Sequence, residues 1–565
     1  MEDYDLVIIG AGWFGLAAAK TYVQLHPTEK VIVVEAAATA GGVWGMDRIY
    51  PGLRANNILG TYEFSDYPMS HDYGVNPGEH ISGAVLHRYL TNYAEHFGVF
   101  GLIRFNTKVE TIEGSDSGRW KVHVAPADTT SKHPRYLSTK RLIVATGLAS
   151  EPNIPDLPGR EQFQNPVFHS RYFPDHSKTL SSARSVVVLG AAKSAWDCAY
   201  AYATSGVKVN MIVRRGGKGP VWMAPAHVTP FRKWLEKLVH TRFLTWFSPC
   251  IWGDEDGYSR IRGLLHGTFI GRKVVDAFWS VLSNDVIALN GFRKHPEVEK
   301  LKPWNSAFWI GSGLSILNYP TDFFALVRDG MIRVHIADVT DLSANTVHLS
   351  TGEELEADVL VCATGFTARP PLRFLPPGLD SGIDFSHHSM NSESLQLERR
   401  ADAEILKRFP RLRAQPVLSQ QDREEGVPLP LNLYRFIVPP NSLEHRNIAF
   451  AGMLTTITTA MCAQTQALWI SAYFDTKLAR LPASTRDARW VTMLHSRFVK
   501  WRYPCGYGAR VPDFVFDAMP YVDMLLGDLG LNKHRKSSST AEMFDPYGPE
   551  DYKDLVNEWK EKAAR

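Results

Sequence analysis

Short runs of apolar residues recur along the chain, and each is followed by glycine or by a longer stretch of helical composition. Early runs cover Leu6–Ile9, Val31–Val34 and Leu142–Val144, and later ones cover Val186–Leu189 and Val359–Ala363. Because these runs are apolar at nearly every position, they are typical of strands buried on both faces of a parallel sheet. The pattern predicts an α/β chain with two doubly wound, Rossmann-like units.

The first apolar run ends in a turn with three glycines. Gly10, Gly12 and Gly15 have the spacing G-x-G-x-x-G, with Phe14 before the third glycine. A helix that begins at such a turn presents free N–H groups and its positive dipole end to a pyrophosphate. Glu35, twenty residues after Gly15, stands where a carboxylate accepts hydrogen bonds from unmodified ribose hydroxyls. The spacing predicts an FAD site; the alternative is a glycine-rich turn without a ligand.

A second turn of this kind follows the strand predicted to end at residue 189. Gly190 keeps the first glycine, Ala192 and Ala195 replace the later two, and Lys193 and Ser194 open the helix. Alanine at the second position holds the backbone farther from a phosphate. The prediction of a nucleotide site at this turn therefore needs support from the sequence of the strand that follows it.

That support comes from the strand Val207–Val213, which runs directly into Arg214 and Arg215. An arginine pair at this place suits the 2′-phosphate of NADPH, since guanidinium groups bind phosphate through paired charge-assisted hydrogen bonds. The chain is therefore predicted to hold NADPH as well as FAD. The alternative is a solvated basic turn.

The sequence Ala-Thr-Gly ends a buried strand twice, once at Gly147 and once at Thr364-Gly365. Glycine at such a place lets the chain turn past a neighbouring ligand, so these residues are candidate cofactor contacts. The run Asn447–Gly452, followed by a helix with Gln466, is expected to return to the first unit. The NADPH domain would then be inserted into a discontinuous FAD domain. We divide the chain into residues 1–165 (FAD domain, first part), 180–370 (NADPH domain, with an aromatic-rich insert at 216–310), 371–444 (insert or substrate-access segment), 445–531 (FAD domain, return) and 532–565 (tail with a mobile linker and a last charged helix).

Composition limits the classes of protein and partner. The 565 residues carry a net charge of +3, too little to imply a nucleic-acid partner. The five cysteines are scattered without C-x-x-C spacing, which indicates reduced thiols and no disulfide frame, zinc site or other metal site. A strand predicted near residue 5 leaves no room for a leader, and no apolar run is long enough to span a bilayer. We expect a cytoplasmic protein without an integral membrane segment. For residues 243–252 a packed helix or a substrate-channel wall is favoured over membrane contact.

Several segments together resemble one family. Gly41–Trp44 resembles its Gly-Gly-x-Trp, Tyr50–Asn56 followed by Phe64–Pro68 resembles the segment that places an asparagine over the flavin, and Asp358–Phe366 resembles its Asp-x₄-Ala-Thr-Gly-Tyr with phenylalanine at the end. Phe163–Asp175 resembles F-x-G-x-x-x-H-x-x-x-[F/Y/W]. The chain is similar to the class B flavoprotein monooxygenases, which comprise flavin-containing monooxygenases and Baeyer–Villiger enzymes.

The last of these segments departs from the family pattern and leaves the branch open. Asn165 replaces the glycine, and asparagine is the residue that next best tolerates positive φ. Ser170 and Phe173 favour the heteroatom oxygenases, whereas Pro174-Asp175 favours the Baeyer–Villiger branch.

The resemblance implies roles for individual residues. Val43 and Trp44 would lie by the flavin, and Asn56, rather than Asn57, would orient the oxygenating cofactor. The alternative for Asn56 is a turn-capping asparagine. His169 is the second catalytic candidate, although a histidine hydrogen-bonded between domains is the favoured interpretation.

The resemblance also implies a reaction. NADPH would reduce FAD, O₂ would add at flavin C4a, and the (hydro)peroxyflavin would oxygenate an organic substrate at a ketone, nitrogen or sulfur. The aromatic-rich insert favours a bulky, mostly apolar substrate, such as a specialised metabolite. Two alternatives share the cofactor motifs: an NADPH-dependent flavin oxidase or disulfide reductase, and a non-catalytic flavin sensor. The absent cysteine pair disfavours the reductase. The sequence does not indicate an oligomeric state.

Overall fold

The computed structural model describes residues 2–115, 118–127, 135–228, 233–311, 313–376, 392–416, 431–508 and 511–563. Much of the predicted 371–444 segment, namely 377–391 and 417–430, lies outside these ranges.

The first part of the chain forms nine strands and two helices before residue 153. They are β1 Glu2–Ile9, α1 Trp13–Leu25, β2 Val31–Val34, β3 Arg54–Ile58, β4 His80–Ser82, α2 Gly83–His96, β5 Ile103–Arg104, β6 Thr107–Gly114, β7 Trp120–Pro126, β8 Arg135–Val144 and β9 Glu151–Pro152.

The middle part begins and ends with strands and contains a mainly helical insert. Its elements are β10 Val167–His169, α3 Thr179–Ser182, β11 Ser185–Leu189, α4 Lys193–Thr204, β12 Lys208–Val213, β13 Trp222–Ala224, β14 His227–Val228, β15 Lys233–Trp234, α5 Leu235–Val239, α6 Arg242–Thr245, α7 Ser259–Gly267, α8 Phe269–Leu289, α9 Pro296–Glu299, β16 Leu314–Ile316, α10 Phe323–Arg328, β17 Ile332–Ile336, β18 Val339–Ser343, β19 Thr346–Leu349, β20 Glu354–Glu356, β21 Val359–Cys362, β22 Phe366–Thr367 and β23 Arg373–Leu375.

The last part is largely helical. It contains α11 Ser392–Arg408, β24 Ile448–Phe450, β25 Thr455–Thr456, α12 Thr459–Phe474, α13 Thr485–Arg502, β26 Asp513–Phe514, α14 Ala518–Leu529, α15 Ser539–Phe544 and α16 Leu555–Ala563.

The first sheet has the order β23-β6-β7-β8-β1-β2-β5, with β24 also paired to β8. Around its centre β5, β2, β1, β8 and β24 are parallel. Ile8 pairs with Val33 on one side and Ile143 on the other, and all three side chains are buried. The returning strand β24 makes this domain discontinuous in sequence, as predicted. β23, which follows directly on the second domain, also joins this sheet, and the sequence did not indicate that.

The second sheet has the order β10-β21-β11-β12-β17 and is parallel throughout. Val188 lies between Met211 and Val361 and is fully buried. The predicted fold class, with one Rossmann-like domain inserted into another, is confirmed.

The aromatic-rich insert is mostly core. Of its seven tryptophans, Trp222, Trp246, Trp252, Trp279 and Trp309 are buried, which fits the ordinary packing role of large aromatic side chains. Trp304 is exposed. The insert therefore joins the hydrophobic core, and tryptophan content alone does not mark a substrate channel.

The tail is anchored, not mobile as expected. Lys533 Nζ lies 2.9 Å from a Glu255 carboxylate oxygen, and Arg535 forms an ion pair with Glu558 at 2.8 Å. The basic residues that suggested a solvated linker are held by acids from the insert and from α16. Within the described residues, the helices lack the combination of length and apolar character needed to cross a bilayer.

Candidate nucleotide-binding and redox site

The first glycine turn lies between β1 and α1, where two of its glycines are required by the protein's own backbone. Gly10 has φ +104°, and a Cβ there would lie 2.5 Å from the carbonyl oxygen of Ala145. A Cβ on Gly15 would collide with the carbonyl oxygen of Gly10. The strand therefore approaches the Ala-Thr-Gly turn closely, and α1 packs tightly on the turn from which it starts.

Gly12 is different, because the protein alone does not require glycine there. Its φ is −84°, and an added Cβ would make only an ordinary contact of 3.6 Å with Gly42. Gly12 is the N-cap of α1 without a side-chain hydrogen bond, so the helix end is open towards a ligand. Thr146 Oγ1 is buried and without a hydrogen-bond partner among the described residues. An open helix end and an orphaned hydroxyl fit a bound dinucleotide.

Glu35 lies at the end of β2 as predicted, half-buried beside the same turn. Its carboxylate accepts hydrogen bonds from the backbone N–H groups of Ala11, at 2.7 Å, and Ala37, at 2.8 Å. Burial raises the pKa of Glu35, and these two hydrogen bonds oppose that rise. The carboxylate is thus held in place against the turn, where it can accept further hydrogen bonds.

The second glycine turn, between β11 and α4, has the same backbone arrangement as the first. Gly190 has φ +143°, and a Cβ there would collide with the carbonyl oxygen of Ala363 in the second Ala-Thr-Gly. Each first glycine is thus packed against the alanine of its own domain's Ala-Thr-Gly. Ala192 is the N-cap of α4, also without a side-chain hydrogen bond. The duplicated pattern in the sequence has one physical cause, which is close contact between adjacent parallel strand ends.

Arg214 and Arg215 follow β12 directly and are both exposed. Arg215 Nε donates to the carbonyl oxygen of Ile336 at 3.2 Å, and this hydrogen bond holds one edge of its guanidinium. Ser194 is exposed at the start of α4. The arrangement keeps positive charge at the end of the second strand, where a 2′-phosphate would be recognised.

The two Ala-Thr-Gly turns are connected to each other. β9 follows the first and β22 follows the second, and the two strands form an antiparallel pair in which Pro152 lies opposite Phe366. Thr364 Oγ1 donates to the carbonyl oxygen of Asn153. Gly147 and Gly365 have φ of +67° and +81°, and neither has an atom within 4 Å of an added Cβ. Both turns therefore have open space beside them, and a two-stranded ribbon links them.

His169 fastens this ribbon from β10. Its Nε2 lies 2.8 Å from the carbonyl oxygen of Gly365, and its Nδ1 accepts the N–H of Arg171 at 3.1 Å. The ring is fully buried, and burial lowers its pKa. Because both ring nitrogens are engaged by backbone, these contacts are those of a neutral histidine that links two segments, the alternative favoured on sequence.

Lys193 is engaged inside the protein. Its ammonium forms an ion pair with Asp197, one helical turn along α4. Asp197 also accepts hydrogen bonds from Tyr50 at 3.0 Å and from Tyr319 at 2.9 Å. This cluster joins the first domain to the second and was not found by sequence reasoning, although the Lys-x-x-x-Asp spacing of a helical ion pair was present.

Around the predicted flavin position the side chains form two groups of contacts. Trp44 Nε1 lies 3.3 Å from the hydroxyl of Tyr62, and Val43 is exposed. Phe14 packs against Gly452, where a Cβ would lie 2.6 Å from its ring. Gln466 accepts the N–H of Gly452 at 2.9 Å and donates to Tyr521 at 2.7 Å. Gln466 therefore holds the turn that supports Phe14, which is a supporting role beside its predicted cofactor contact.

The two adjacent asparagines of β3 have different surroundings. Asn56 is partly buried, and its Oδ1 lies 3.4 Å from the N–H of Ile316. Asn57 is buried and donates to Glu236 and to the carbonyl oxygen of Ile457. The amide nitrogen of Asn57 is thus engaged by two segments, whereas no described residue accepts a hydrogen bond from the amide nitrogen of Asn56. The orienting role of Asn56 stays a prediction.

Glu236, in the insert, is a buried carboxyl that the sequence did not reveal. It accepts hydrogen bonds from Asn57 Nδ2 and, at 3.2 Å, from the N–H of Ile58. Burial raises its pKa to about 7. A single glutamate in an aromatic-rich insert carries no pattern, so only the fold places it against β3.

Metal binding and thiol chemistry are two other possibilities for the part of the chain that the structure describes. Among the described residues no group of three or more His, Cys, Asp or Glu side chains is placed to hold a metal ion. All five cysteines are buried, and burial raises the pKa of Cys362 to about 11 and of Cys462 to about 12. Such thiols are poor nucleophiles, which argues against a dithiol mechanism.

Comparison with known proteins agrees with this geometry. The family model described as pyridine nucleotide-disulphide oxidoreductase matches residues 7–243. The FAD-dependent monooxygenase rstn6 of Aspergillus nomiae is 35% identical over 98% of both chains. An FAD-dependent monooxygenase of Pyrenophora dematioidea is 36% identical over 95% of this chain and all of its own.

Solved structures with the same fold come from more than one kind of oxygenase. Cyclohexanone monooxygenase in a cyclohexanone-bound conformation superposes with a TM-score of 0.60 at 17% identity, covering 94% of this chain and 98% of its own. The S-allyl-L-cysteine S-oxygenase of Allium sativum gives a TM-score of 0.53 at 15% identity, covering 100% and 99%. At these identities the likeness concerns the fold.

Identity of more than a third along nearly the whole chain places the protein in a class, that of flavin-dependent oxidoreductases that incorporate oxygen. More specifically, the chain belongs to the family of FAD-dependent monooxygenases, and the resemblance stated from its motifs is confirmed. The protein is an enzyme, and FAD is its cofactor.

Proposed function

We propose that this enzyme uses NADPH and O₂ to insert one oxygen atom into an organic substrate. In the balanced reaction, substrate, O₂, NADPH and a proton give oxygenated substrate, water and NADP⁺. Bound FAD supplies the redox chemistry that accepts a hydride equivalent and activates O₂. The protein's residues supply binding, orientation and exclusion of water.

The observation that carries this proposal is the ribbon of β9 and β22, which links the two Ala-Thr-Gly turns. Each turn contacts the first glycine of its own dinucleotide motif. Two nucleotide sites on a shared, fastened support can keep a nicotinamide near a flavin, as transfer between them requires. A pair of independent domains without such a link would not give that orientation.

The charged groups support a different nucleotide at each of the two sites. Glu35, held by Ala11 and Ala37, suits the ribose hydroxyls of FAD. Arg214 and Arg215 at the end of β12 suit the 2′-phosphate of NADPH. Preference for NADPH over NADH is part of the proposal.

We assign Asn56 the role of orienting the reacting groups, because its oxygen accepts the N–H of Ile316 while no described residue accepts a hydrogen bond from its amide nitrogen. His169 would hold the ribbon between the domains. The substrate would be bulky and mostly apolar. Oxygen would be inserted into the bond between the carbonyl carbon of a ketone and a neighbouring carbon, or added to a nitrogen or a sulfur.

The test is product analysis with the purified FAD-loaded protein, NADPH, isotopically heavy O₂ and a panel containing a sulfide, an amine and a bulky ketone. We expect NADPH consumption coupled to the appearance of one heavy oxygen atom in one class of product. An ester from the ketone would establish Baeyer–Villiger oxygenation, and a sulfoxide or N-oxide alone would establish heteroatom oxygenation. NADPH consumption with all O₂ recovered as H₂O₂ and no product from the panel would instead show a flavin oxidase.

A further inference from the structure

Helix α8 has two apolar faces, although a helix at a protein surface needs only one. One face, with Gly271, Val275, Trp279 and Val286, is buried in the core. The other contains Ile270, Val274 and Val281, which are 76%, 47% and 66% exposed. Their spacing of four and seven residues places them on one side of the helix.

This exposed face is continuous and unusual for the molecule. The exposed Ala277 and Ala288 extend the same row, so that it covers about 27 Å at 1.5 Å per residue. Six of the fifteen large hydrophobic side chains exposed in the described part of the chain lie within residues 264–289. An exposed apolar patch of this kind marks a surface that meets another apolar phase or partner.

The patch is widest at the corner between α7 and α8. Leu264 and Phe269 are 62% and 68% exposed there, next to Ile270. We define these three residues as the apolar tip. Leu264 lies in the last turn of α7, and Phe269 and Ile270 begin α8.

The segment of chain that contains the apolar tip carries charge of one sign. Between Gly257 and Val275 the chain contains four arginines or lysines and no acidic residue. Arg260 and Lys273 are exposed, and Arg272 is partly exposed. The acids that flank this stretch are engaged elsewhere, Asp256 by the buried Arg262 and Asp276 by Arg411.

We propose that the apolar tip and the exposed face of α8 dock on the surface of an anionic lipid bilayer. Phe269, Ile270 and Leu264 enter the interfacial region while Arg260 and Lys273 meet lipid phosphates and carboxylates. Exposed aromatic and aliphatic residues beside cations are the features by which a helix lies in a membrane interface without crossing it. The attachment is peripheral.

The proposal is tested with the full-length, FAD-loaded protein and sedimented vesicles of two compositions, phosphatidylcholine alone and phosphatidylcholine with about one-third phosphatidylserine. We expect binding to the anionic vesicles, weaker binding to the neutral ones, and release from the anionic vesicles as salt concentration rises. The double variant Phe269→Ser/Ile270→Ser should lose binding roughly tenfold or more, because two large apolar side chains no longer enter the interface.

Two further variants make the result specific. Arg260→Gln/Lys273→Gln should remove the preference for anionic vesicles and leave weak binding to neutral ones. Leu395→Ser, which removes a 41% exposed leucine on α11, is the matched control and should bind like the parent protein. Unchanged bound FAD and melting temperature verify folding for each variant.

Three outcomes would overturn the proposal. The first is no binding to either vesicle, and the second is unaltered binding by the Phe269→Ser/Ile270→Ser variant. The third is a parent protein that forms dimers in sedimentation velocity, ignores vesicles, and becomes monomeric in that variant, which would assign the surface to a second copy of the chain.

Discussion

At the scale of single residues, the glycines of the first turn separate backbone requirements from ligand requirements. Gly10 and Gly15 cannot carry a Cβ because backbone atoms occupy its place, whereas Gly12 can, since its nearest neighbour is Gly42 at 3.6 Å. The sequence motif contains all three without distinguishing them. Gly12 is the one of these three whose glycine we attribute to the proposed bound pyrophosphate.

Gly12→Ala should therefore weaken FAD binding roughly tenfold or more, because a methyl group would occupy the space of the pyrophosphate. The melting temperature of the FAD-free protein should change little. Fluorescence titration of FAD into deflavinated protein measures the first effect. Gly101→Ala, where no atom lies within 4 Å of the added Cβ, is the matched control. Undiminished FAD affinity in Gly12→Ala would show that the pyrophosphate does not approach this residue.

The arginines after β12 give a second prediction at this scale. Arg214→Ala should weaken the use of NADPH roughly ten- to a hundredfold, since a charge-assisted hydrogen bond is worth about 1.5–3 kcal/mol. The kcat/KM for NADH should stay nearly constant. Arg215→Ala should behave in the same way with an added structural cost, because Arg215 Nε also donates to Ile336.

Lys208→Ala provides the control for this pair, since it removes an exposed cation from the other end of the same strand. It should leave the ratio of NADPH to NADH activity unchanged. Equal loss for both nucleotides in Arg214→Ala would mean that the arginine supports the fold and does not recognise the 2′-phosphate.

At the scale of elements, the geometry depends on short strands that the sequence scarcely marks. β9 and β22 have two residues each, yet their pairing fastens the two domains. His169, at the end of β10, secures this pairing through Gly365. The same side chain could serve proton transfer or positioning, and the two roles differ in what a substitution does to the pH profile.

His169→Gln should raise the KM for NADPH about fivefold, because a side chain of different reach replaces a buried hydrogen bond worth about 1 kcal/mol. The His169→Ala change, which leaves no donor for Gly365, should be more damaging. The shape of the kcat–pH profile should be the same in all three proteins, since His169 Nδ1 accepts the N–H of Arg171 and burial lowers the pKa of the ring. Disappearance of a limb of that profile in His169→Gln would establish proton transfer.

At the scale of the whole molecule, the insert contributes buried histidines to a core shared with the FAD domain. His240 is buried, and its Nε2 lies 2.8 Å from Thr458 Oγ1, just before α12. Burial lowers the pKa of His240 from 6.5 to about 4. Between these values the unfolded chain binds a proton that the folded protein excludes, so the contribution of this group to stability is complete above about pH 6.5 and is lost as pH falls towards 4.

The parent protein should accordingly lose more free energy of unfolding than His240→Gln when pH falls from 6.5 to 4. The difference should approach about 3 kcal/mol, since a tenfold change in proton affinity is worth about 1.4 kcal/mol. Denaturant titrations at several pH values measure it. His71→Gln, at a position with a 95% exposed side chain, is the control and should follow the parent protein. A His240→Gln protein with the same pH dependence as the parent would refute the buried, neutral state of His240.

The amino-acid sequence determined the parts of this protein whose causes are local. Gly10, Gly15 and Gly190 mark the two strand–turn–helix motifs, because their contacts lie within one motif or at the adjacent strand end. Glu35, Arg214 and Arg215 each follow a strand, as the sequence predicted, and remain the predicted contacts of the two nucleotides. The fold class, the FAD cofactor and the monooxygenase family could all be inferred from these patterns.

Only the tertiary structure decided features that depend on residues far apart in the chain. The contact of Asn57 with Glu236 joins positions 179 residues apart, and the cluster around Asp197 joins Tyr50 to Tyr319; no local pattern specifies such pairs. The exposure of α8 is also decided by the tertiary structure. A row of apolar residues in the sequence indicates an apolar helix face, but it does not indicate whether another element covers that face. Burial is a property of the assembled fold, and so five of the seven tryptophans of the insert lie in the core while Ile270, Val274 and Val281 lie at the surface.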